Sequence, residues 1–240
     1  GALVLQGDVL LKLGQRDAAL KKYRKAVEEA QDSEVIYLAH SHLIEALLKS
    51  PPKDAAASES CRAAASQFAE RLPEGRTYVF LAESLQGAKL YADVLAYTGP
   101  AISSRAVDPA ARAKSVYFDM VANFELKNFK PAAESLSRLA EFVQDKPADP
   151  LAEEVAFWAC KISQADSAAV AARKSYAAYL EKYPAGKYAL DAKFNLGLLA
   201  FDAGELDEAE KQFLGVLGSK AADAAVAEGN EIFINAIHNI

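Results

Sequence analysis

A three-residue pattern recurs six times along the chain, and this internal repeat constrains the fold more than any other feature of the sequence. Each copy has a small aliphatic residue, a second residue four positions later and a third three positions after that. The first members of successive copies are 38, 37, 39, 39 and 37 residues apart. Offsets of four and three place side chains on one face of a helix, so each copy predicts a helix. The copies are Ala19/Tyr23/Ala26, Ala57/Cys61/Ala64, Val94/Thr98/Ala101, Ala133/Ser137/Ala140, Ala172/Tyr176/Tyr179 and Ala209/Phe213/Val216.

Each of these helices is preceded by another stripe at helical spacing, so the repeating unit is predicted to be a helix–turn–helix hairpin. The first stripe contains Leu3, Gly7 and Leu10, and the last lies around Gly197. Glycine in the turn between the two helices suits a left-handed C-cap, and an adjacent acidic residue favours the start of the next helix. Periodicity of this kind is typical of stacked helical repeats.

Composition agrees with an all-α fold. Alanine, the best helix former, occupies 50 of the 240 positions, whereas valine, isoleucine and threonine together occupy 24. The formal net charge of −6 and the pI near 5.2 argue against a nucleic-acid partner, because binding to phosphates depends on clustered lysine and arginine. No uncharged apolar run reaches the length of about 18 residues that a membrane span needs.

The hairpins resemble the tetratricopeptide repeat family, whose pattern combines Leu-Gly and an aromatic residue with a later Ala, Phe or Tyr, and Ala. The first and sixth copies carry the resemblance best, and the copies cover about residues 3–220. The resemblance implies an all-α, right-handed solenoid of about six hairpins plus a terminal helix. HEAT-like repeats are the alternative, because the period of about 38 residues exceeds the usual 34. The matching residues are Gly7, Leu10, Gly14, Ala19, Tyr23 and Ala26, and Leu196, Gly197, Gly204, Ala209 and Phe213.

We expect a single repeat domain over residues 1–240, cut from a longer protein because the chain starts inside a repeat. The loop and helix at 183–197 look like the longer repeats of bacterial cell-envelope assembly proteins. The compartment is therefore expected to be the bacterial periplasm or envelope, with the cytoplasm as the alternative. The expected repeats lie at about 1–33, 35–73, 76–106, 113–147, 151–184 and 189–219, with the terminal helix at 222–240.

The family resemblance also implies a binding surface, because the first helix of each hairpin lines the concave side of such a stack. Mapping the family's ligand positions onto the chain gives a groove that is acidic in its first half and apolar in its last. We expect it to bind a peptide or protein with basic and apolar side chains. The alternative is that these residues pack under neighbouring turns or are ordinary solvated positions. The candidates are Asp8, Leu11, His42, Glu45, Glu83, Gln86, Phe118, Glu125, Phe194, Leu198 and Phe201.

Three other functions are disfavoured. A clamp for the C-terminal carboxylate of chaperones needs lysine, arginine and asparagine in the groove, where only Arg76 is a basic candidate. An enzyme is not expected, since no catalytic or phosphate-binding motif occurs. No metal or cofactor is expected either: His40 and His42 lie on different helix faces, and Cys61 and Cys160 are predicted to be buried, reduced thiols.

Two functional hypotheses therefore stand after the sequence is read. The first is a non-catalytic interaction scaffold that binds its partner in the groove. The second is a structural segment that self-associates or spaces other domains, through the apolar end around Phe194, Leu198 and Phe201. The oligomeric state and the identity of the partner are left open by the sequence.

Overall fold

The computed structural model describes residues 1–49, 55–146, 149–166 and 169–218, and within those ranges all regular structure is helical. Twelve α-helices follow one another there. They are α1 (Ala2–Lys12), α2 (Arg16–Glu29), α3 (Ser33–Leu48), α4 (Ala55–Arg71), α5 (Gly75–Gly87), α6 (Tyr91–Ser103), α7 (Pro109–Glu125), α8 (Phe129–Val143), α9 (Pro150–Ala165), α10 (Ala169–Lys182), α11 (Ala189–Asp202) and α12 (Leu206–Leu217).

Successive helices pair as hairpins, which confirms the all-α helical repeat predicted from the sequence. The two helices of a pair contact each other in α1/α2, α3/α4, α5/α6, α9/α10 and α11/α12. Several first helices start where an aspartate accepts backbone N–H groups, as Asp32 does at α3 and Asp108 at α7. The terminal helix expected at 222–240 lies outside the described residues.

The chain forms two compact units, residues 1–135 (unit 1) and residues 136–240 (unit 2), and the boundary falls within α8. In unit 1 the first helices of successive hairpins touch: α1 contacts α3, α3 contacts α5, and α5 contacts α7. In unit 2, α10 contacts both α9 and α11. The assignment of residues 1–240 to one domain stays a prediction.

Close approach of the two helices in the first and last hairpins depends on glycine. A Cβ atom at Gly7 would overlap the Tyr23 ring, and one at Gly197 would lie 2.5 Å from the Phe213 ring. Tyr23 and Phe213 are 1% and 0% exposed, so neither ring has free space to move into. The aromatic side chain therefore occupies the volume that the glycine leaves empty.

The turns inside four hairpins share one left-handed residue. Gly14 and Gly204 have φ of 73° and 77°, as the sequence predicts for a glycine C-cap. The corresponding residues of the third and fourth hairpins are Lys89 and Lys127, with φ of 60° and 63°. The turn geometry is thus kept where the sequence lacks glycine, at the cost of some backbone strain.

Candidate functional site

Four of the groove residues predicted from the sequence meet in unit 1 around one open cavity of about 380 Å³, which we call the first pocket. It lies where α1 and α3 are neighbours, and α2 supplies one wall. Two successive hairpins therefore build the site together. Its lining residues are Asp8, Leu11, Lys12, Tyr23, His42, Glu45, Ala46 and Lys49.

Asp8 is the centre of the first pocket, because it links three helices. The hydroxyl of Tyr23 donates to Asp8 Oδ1 at 2.8 Å, and His42 Nδ1 lies 2.8 Å from the same oxygen. An ionised carboxylate can only accept, so Nδ1 of His42 carries the hydrogen and Nε2 is left for another partner. The side chains of Asp8 and His42 remain 31% and 32% exposed, which keeps both within reach of a ligand.

The Tyr23 hydroxyl can donate its hydrogen bond to Asp8 throughout the physiological pH range. Burial raises the pKa of its phenol well above the usual value, and the hydrogen bond to Asp8 and the charges of Asp8 and Glu45 raise it further. The phenol therefore keeps its proton at any physiological pH. Because the ring is held against Gly7, its hydroxyl is fixed at the edge of the groove.

The charges around the first pocket are of both signs, whereas the mapping of groove positions made this half of the groove acidic. Glu45 is exposed, and no ion pair of this residue is present among the described residues. Lys12 and Lys49 also line the pocket, and they lie at the ends of α1 and α3. Lys12 lies four residues after Asp8, and Lys49 lies four residues after Glu45. Residues at this spacing share a helix face, so the sequence contained a signal that the two lysines lie beside the two acids.

A second pocket of about 270 Å³ lies further along the same series of first helices in unit 1. Tyr37 and Phe80 contribute aromatic walls, and the Arg76 guanidinium lies 4.9 Å from the centre of the Tyr37 ring. Glu83, predicted from the sequence, lines this pocket and pairs with Lys114 Nζ at 2.5 Å. This pocket is thus mainly aromatic and aliphatic, with Arg76 and Glu83 in ion pairs and Asp108 capping the start of α7.

Arg76, the one basic candidate for a carboxylate clamp, is engaged within the protein. Its Nη1 lies 2.6 Å from Glu34 Oε1, and its Nε lies 2.8 Å from Glu74 Oε2. A guanidinium held by two carboxylates is a poor anion receptor, because a ligand carboxylate would have to displace them.

The remaining predicted groove residues of unit 1 differ in accessibility. Phe118 is 7% exposed and belongs to the core cluster of unit 1, so it offers little surface to a partner. Gln86 is half-buried, whereas Glu125 is exposed. For Phe118 the structure therefore matches the alternative in which apolar groove residues pack under neighbouring turns.

In unit 2, the predicted groove residues lie together on α11. Phe194 and Leu198 are half-buried and pack against the core cluster around Phe213, with the rings of Phe194 and Phe213 5.7 Å apart. Phe201, at the end of α11, is 47% exposed. Only the last of these three side chains offers a large accessible apolar surface.

Other predicted features can be placed as well. Cys61 and Cys160 are both buried free thiols, as predicted, and burial raises their pKa values to about 11 and about 12. His40 is fully buried while His42 lines the first pocket, so the two histidines do lie on different faces. Among the described residues, no group of three or more His, Cys, Asp or Glu side chains could hold a metal ion, and no helix is long and apolar enough to cross a membrane.

Comparisons with known proteins concern the family of the first hairpin and the fold. The model of the tetratricopeptide repeat family matches residues 1–33, which is the first hairpin. A solved structure of Pseudomonas aeruginosa pilF is similar in fold, with a TM-score of 0.54 and 17% sequence identity over 95% of this chain and 96% of that chain. The tetratricopeptide repeat domain of P58(IPK) aligns at 16% identity and a TM-score of 0.32, over 99% and 72% of the two chains. No curated relative matches the chain in sequence.

Residues 1–33 thus match the tetratricopeptide repeat model, and the described residues fold as an all-α helical repeat similar to that of the pilF structure. Such repeats serve in general as protein-interaction scaffolds, and as a rule they are not catalytic. Stacked hairpins expose an extended surface made by successive first helices, and that surface is where binding groups accumulate.

Proposed function

We propose that unit 1 binds a peptide or protein segment with basic and apolar side chains along the face formed by α1, α3, α5 and α7. The observation that carries the proposal is the first pocket, where Asp8, Leu11, His42 and Glu45 from two hairpins converge.

The chemistry of the two pockets favours a partner with mixed character. Asp8 and Glu45 present carboxylates at the first pocket, and the half-buried Leu11 provides apolar surface beside them. The second pocket adds aromatic and aliphatic walls. A lysine or arginine side chain fits such a site, because its apolar stem packs on the aliphatic surface while its charged end reaches a carboxylate. Lys12 and Lys49 at the rim disfavour a uniformly basic segment, so apolar residues must alternate with basic ones.

Selection from a random peptide library on the immobilised chain tests the proposal and requires no identified partner. We expect enrichment of sequences that combine lysine or arginine with apolar residues. Binding of a selected peptide should weaken at least tenfold when Glu45, Glu83 and Glu125 are all changed to lysine, and ionic strength should weaken it too.

Glu134→Lys is the matched control, because Glu134 is an exposed acidic residue of unit 1 on a second helix. It should leave both affinity and stability nearly unchanged. Equal affinity of the selected peptides for the groove variant and for the wild type would refute binding at this face, as would enrichment of acidic sequences.

A second function, self-association, is favoured by exposed apolar side chains in unit 2. Phe201, Leu206 and Leu214 are 47%, 62% and 51% exposed. Sedimentation at several protein concentrations tests it: a mass that rises with concentration, and no longer does so after Phe201→Ser, supports self-association. A strict monomer at all concentrations excludes it.

A further inference from the structure

The His42 imidazole is held in one orientation and one tautomer at the first pocket. Its Nδ1 donates to Asp8 Oδ1 at 2.8 Å, and its ring centre lies 5.9 Å from that of Tyr23. The Tyr23 hydroxyl donates to the same carboxylate oxygen, and the Tyr23 ring is packed against Gly7, so the acceptor of the His42 hydrogen bond is itself fixed. The imidazole is therefore positioned before any partner binds.

The second nitrogen of this imidazole, Nε2, is available to a partner. Among the described residues no group forms a hydrogen bond with it, and the His42 side chain is half-buried in the wall of the first pocket. In a neutral imidazole with its hydrogen on Nδ1, Nε2 carries a lone pair and accepts hydrogen bonds. A partner that donates an N–H group can therefore bond to this atom, whereas a carbonyl or carboxylate oxygen cannot.

The charges that line the first pocket beside His42 cancel while the imidazole is neutral. Two of these groups are carboxylates, two are ammonium groups, and the fifth is a phenol that keeps its proton. A proton on His42 therefore gives the pocket a net positive charge, which repels a cationic side chain. The groups are Asp8 and Lys12 from α1, Tyr23 from α2, and Glu45 and Lys49 from α3 itself.

The other charged groups on helices packed against α3 already have partners within unit 1. Arg76 and Glu83 of α5 are each held in an ion pair at the second pocket. Arg16 of α2 and Arg71 of α4 donate to backbone carbonyl oxygens near the ends of α3 and α2. Arginine and glutamate side chains keep their charge around neutral pH, whereas histidine changes its own. His42 is thus the group of this site through which a proton can act.

We propose that His42 determines the specificity of the first pocket for a cationic side chain and couples that binding to a proton. In the neutral form, Nε2 accepts a hydrogen bond from the ammonium or guanidinium group of the partner, beside the Glu45 carboxylate. When Nε2 takes a proton from solvent it becomes a donor, so the cation of the partner and the proton exclude each other. The inference rests on the proposed function, because it names what holds the basic side chain of the partner.

This competition fixes the direction of the pH dependence. Lowering the pH protonates His42, so affinity is highest in mildly alkaline solution and falls as the solution becomes acidic. One proton that competes with the ligand should weaken binding about tenfold between pH 7.5 and pH 5.5. Lysine and arginine in the partner do not titrate in that range and add nothing to the change.

Isothermal titration calorimetry of the full chain with a lysine-containing peptide selected from the library at pH 7.5 tests the inference. Wild-type affinity should fall about tenfold at pH 5.5. His42→Asn keeps an N–H group for Asp8 but has no Nε2, so it should bind more weakly at pH 7.5 and change little at pH 5.5. His40→Phe is the matched control: His40 is buried on another face of α3, so this variant should keep the wild-type change. Circular dichroism at both pH values checks that each protein is folded.

NMR of the histidine side chains of the wild type gives a second readout that does not depend on a variant being folded at low pH. The His42 signal is assigned by its absence from His42→Asn at pH 7.5, and adding the peptide should lower the pH at which His42 gains its proton. A titration of His42 that the peptide does not move would overturn the inference. So would a wild-type affinity that is equal at the two pH values, or a pH dependence that His42→Asn retains in full.

These results are distinct from a failure of the proposed function. If the selected peptide binds independently of pH but still loses affinity when Glu45, Glu83 and Glu125 are changed to lysine, the groove is the binding face and only the role of His42 is wrong. If that groove variant binds the peptide as tightly as the wild type, the proposed function fails and the role of His42 fails with it.

Discussion

Two joints of unit 1 hold neighbouring helices together by opposite means. In the first hairpin, Gly7 leaves the space that the Tyr23 ring fills, so the two helices are held by complementary size. We call this contact the glycine joint. In the aspartate joint, between α6, α7 and α8, Asp119 holds the helices together by accepting hydrogen bonds. Thr98 Oγ1 donates to its Oδ1 at 2.8 Å, and Ser135 Oγ and Asn123 Nδ2 donate to its Oδ2 at 2.7 and 3.1 Å.

The difference shows what each joint leaves available for function. All the donors of the aspartate joint are buried and satisfied within the protein, so it contributes stability only. The glycine joint needs the Tyr23 ring but not its hydroxyl, and that hydroxyl is therefore free to hold Asp8 at the first pocket. The glycine joint thus leaves a polar group available for a binding site, because it is held together by the fit of a ring against a glycine. The aspartate joint leaves none, because its polar groups are all hydrogen-bonded to one another.

The largest effect is expected at the aspartate joint. Asp119→Ala removes the shared acceptor and leaves the buried hydroxyls of Thr98 and Ser135 without their partner, which should lower the free energy of unfolding by about 3 to 4 kcal/mol. Urea unfolding measures it. Asp119→Asn keeps one acceptor oxygen, so its free energy of unfolding should fall by roughly half as much as that of the alanine variant. A loss below about 0.5 kcal/mol for the alanine variant would show that the network contributes little.

The next effect concerns the glycine joint. Gly7→Ala places a Cβ atom in the space that the Tyr23 ring occupies and should cost about 2 kcal/mol, despite the higher helix propensity of alanine. Combining it with Tyr23→Leu should recover part of that loss, because the smaller side chain frees the space. A Gly7→Ala variant as stable as the wild type would contradict the size-based account.

A third joint, between α3 and α4, buries a titratable ring. His40 is fully buried and stacks on Phe68 with ring centres 4.9 Å apart, and burial and the charge of Arg71 lower its pKa to about 4. Because this value lies below the 6.5 of an unfolded histidine, stability is full above pH 6.5 and is lost as the pH falls towards 4. The free energy of unfolding should drop by about 2 kcal/mol between pH 7 and pH 5.

His40→Phe serves as the control for this pH dependence, since it keeps an aromatic ring against Phe68 and cannot titrate in this range. The free energy of unfolding of this variant, measured in urea, should change much less between pH 7 and pH 5 than that of the wild type. An identical pH profile for the two proteins would assign the effect to other groups.

The smallest effect is expected at the strained turns. Lys89 and Lys127 adopt a left-handed conformation that Gly14 and Gly204 adopt without cost. Lys89→Gly should therefore raise the free energy of unfolding by about 0.5 to 1 kcal/mol, with Lys127→Gly similar. Unfolding in urea measures the gain, and the same change at Lys49, which has φ of −71°, should give none. A lower free energy of unfolding in either turn variant would show that the backbone at these two lysines is not strained.

Much of the fold could be predicted from the sequence because it depends on spacing within a hairpin. The pairing of Gly7 with Tyr23 and of Gly197 with Phe213 follows from such local spacing. The aspartate joint could not be predicted in the same way, since Thr98, Asp119 and Ser135 meet only once three helices are packed.

The candidate site shows the same limit. The sequence placed Asp8, His42 and Glu45 on first helices, and the structure brings them together. Pairing of Glu83 with Lys114 and the engagement of Arg76 depend on how α5 packs beside α3 and α7, which a mapping of positions within one helix does not contain. Contacts between hairpins were therefore the part that sequence reasoning missed.

Tyr23→Phe tests most directly whether the glycine joint both packs the hairpin and positions the groove. It keeps the ring against Gly7 and removes only the hydroxyl that donates to Asp8. We expect the free energy of unfolding to fall by no more than about 1 kcal/mol. By isothermal titration calorimetry, affinity for a library-selected peptide should fall several-fold, with Tyr176→Phe in unit 2 as the unchanged control. If Tyr23→Phe and Asp8→Asn both bind the peptide as tightly as the wild type, the glycine joint does not position the groove and the central claim is contradicted.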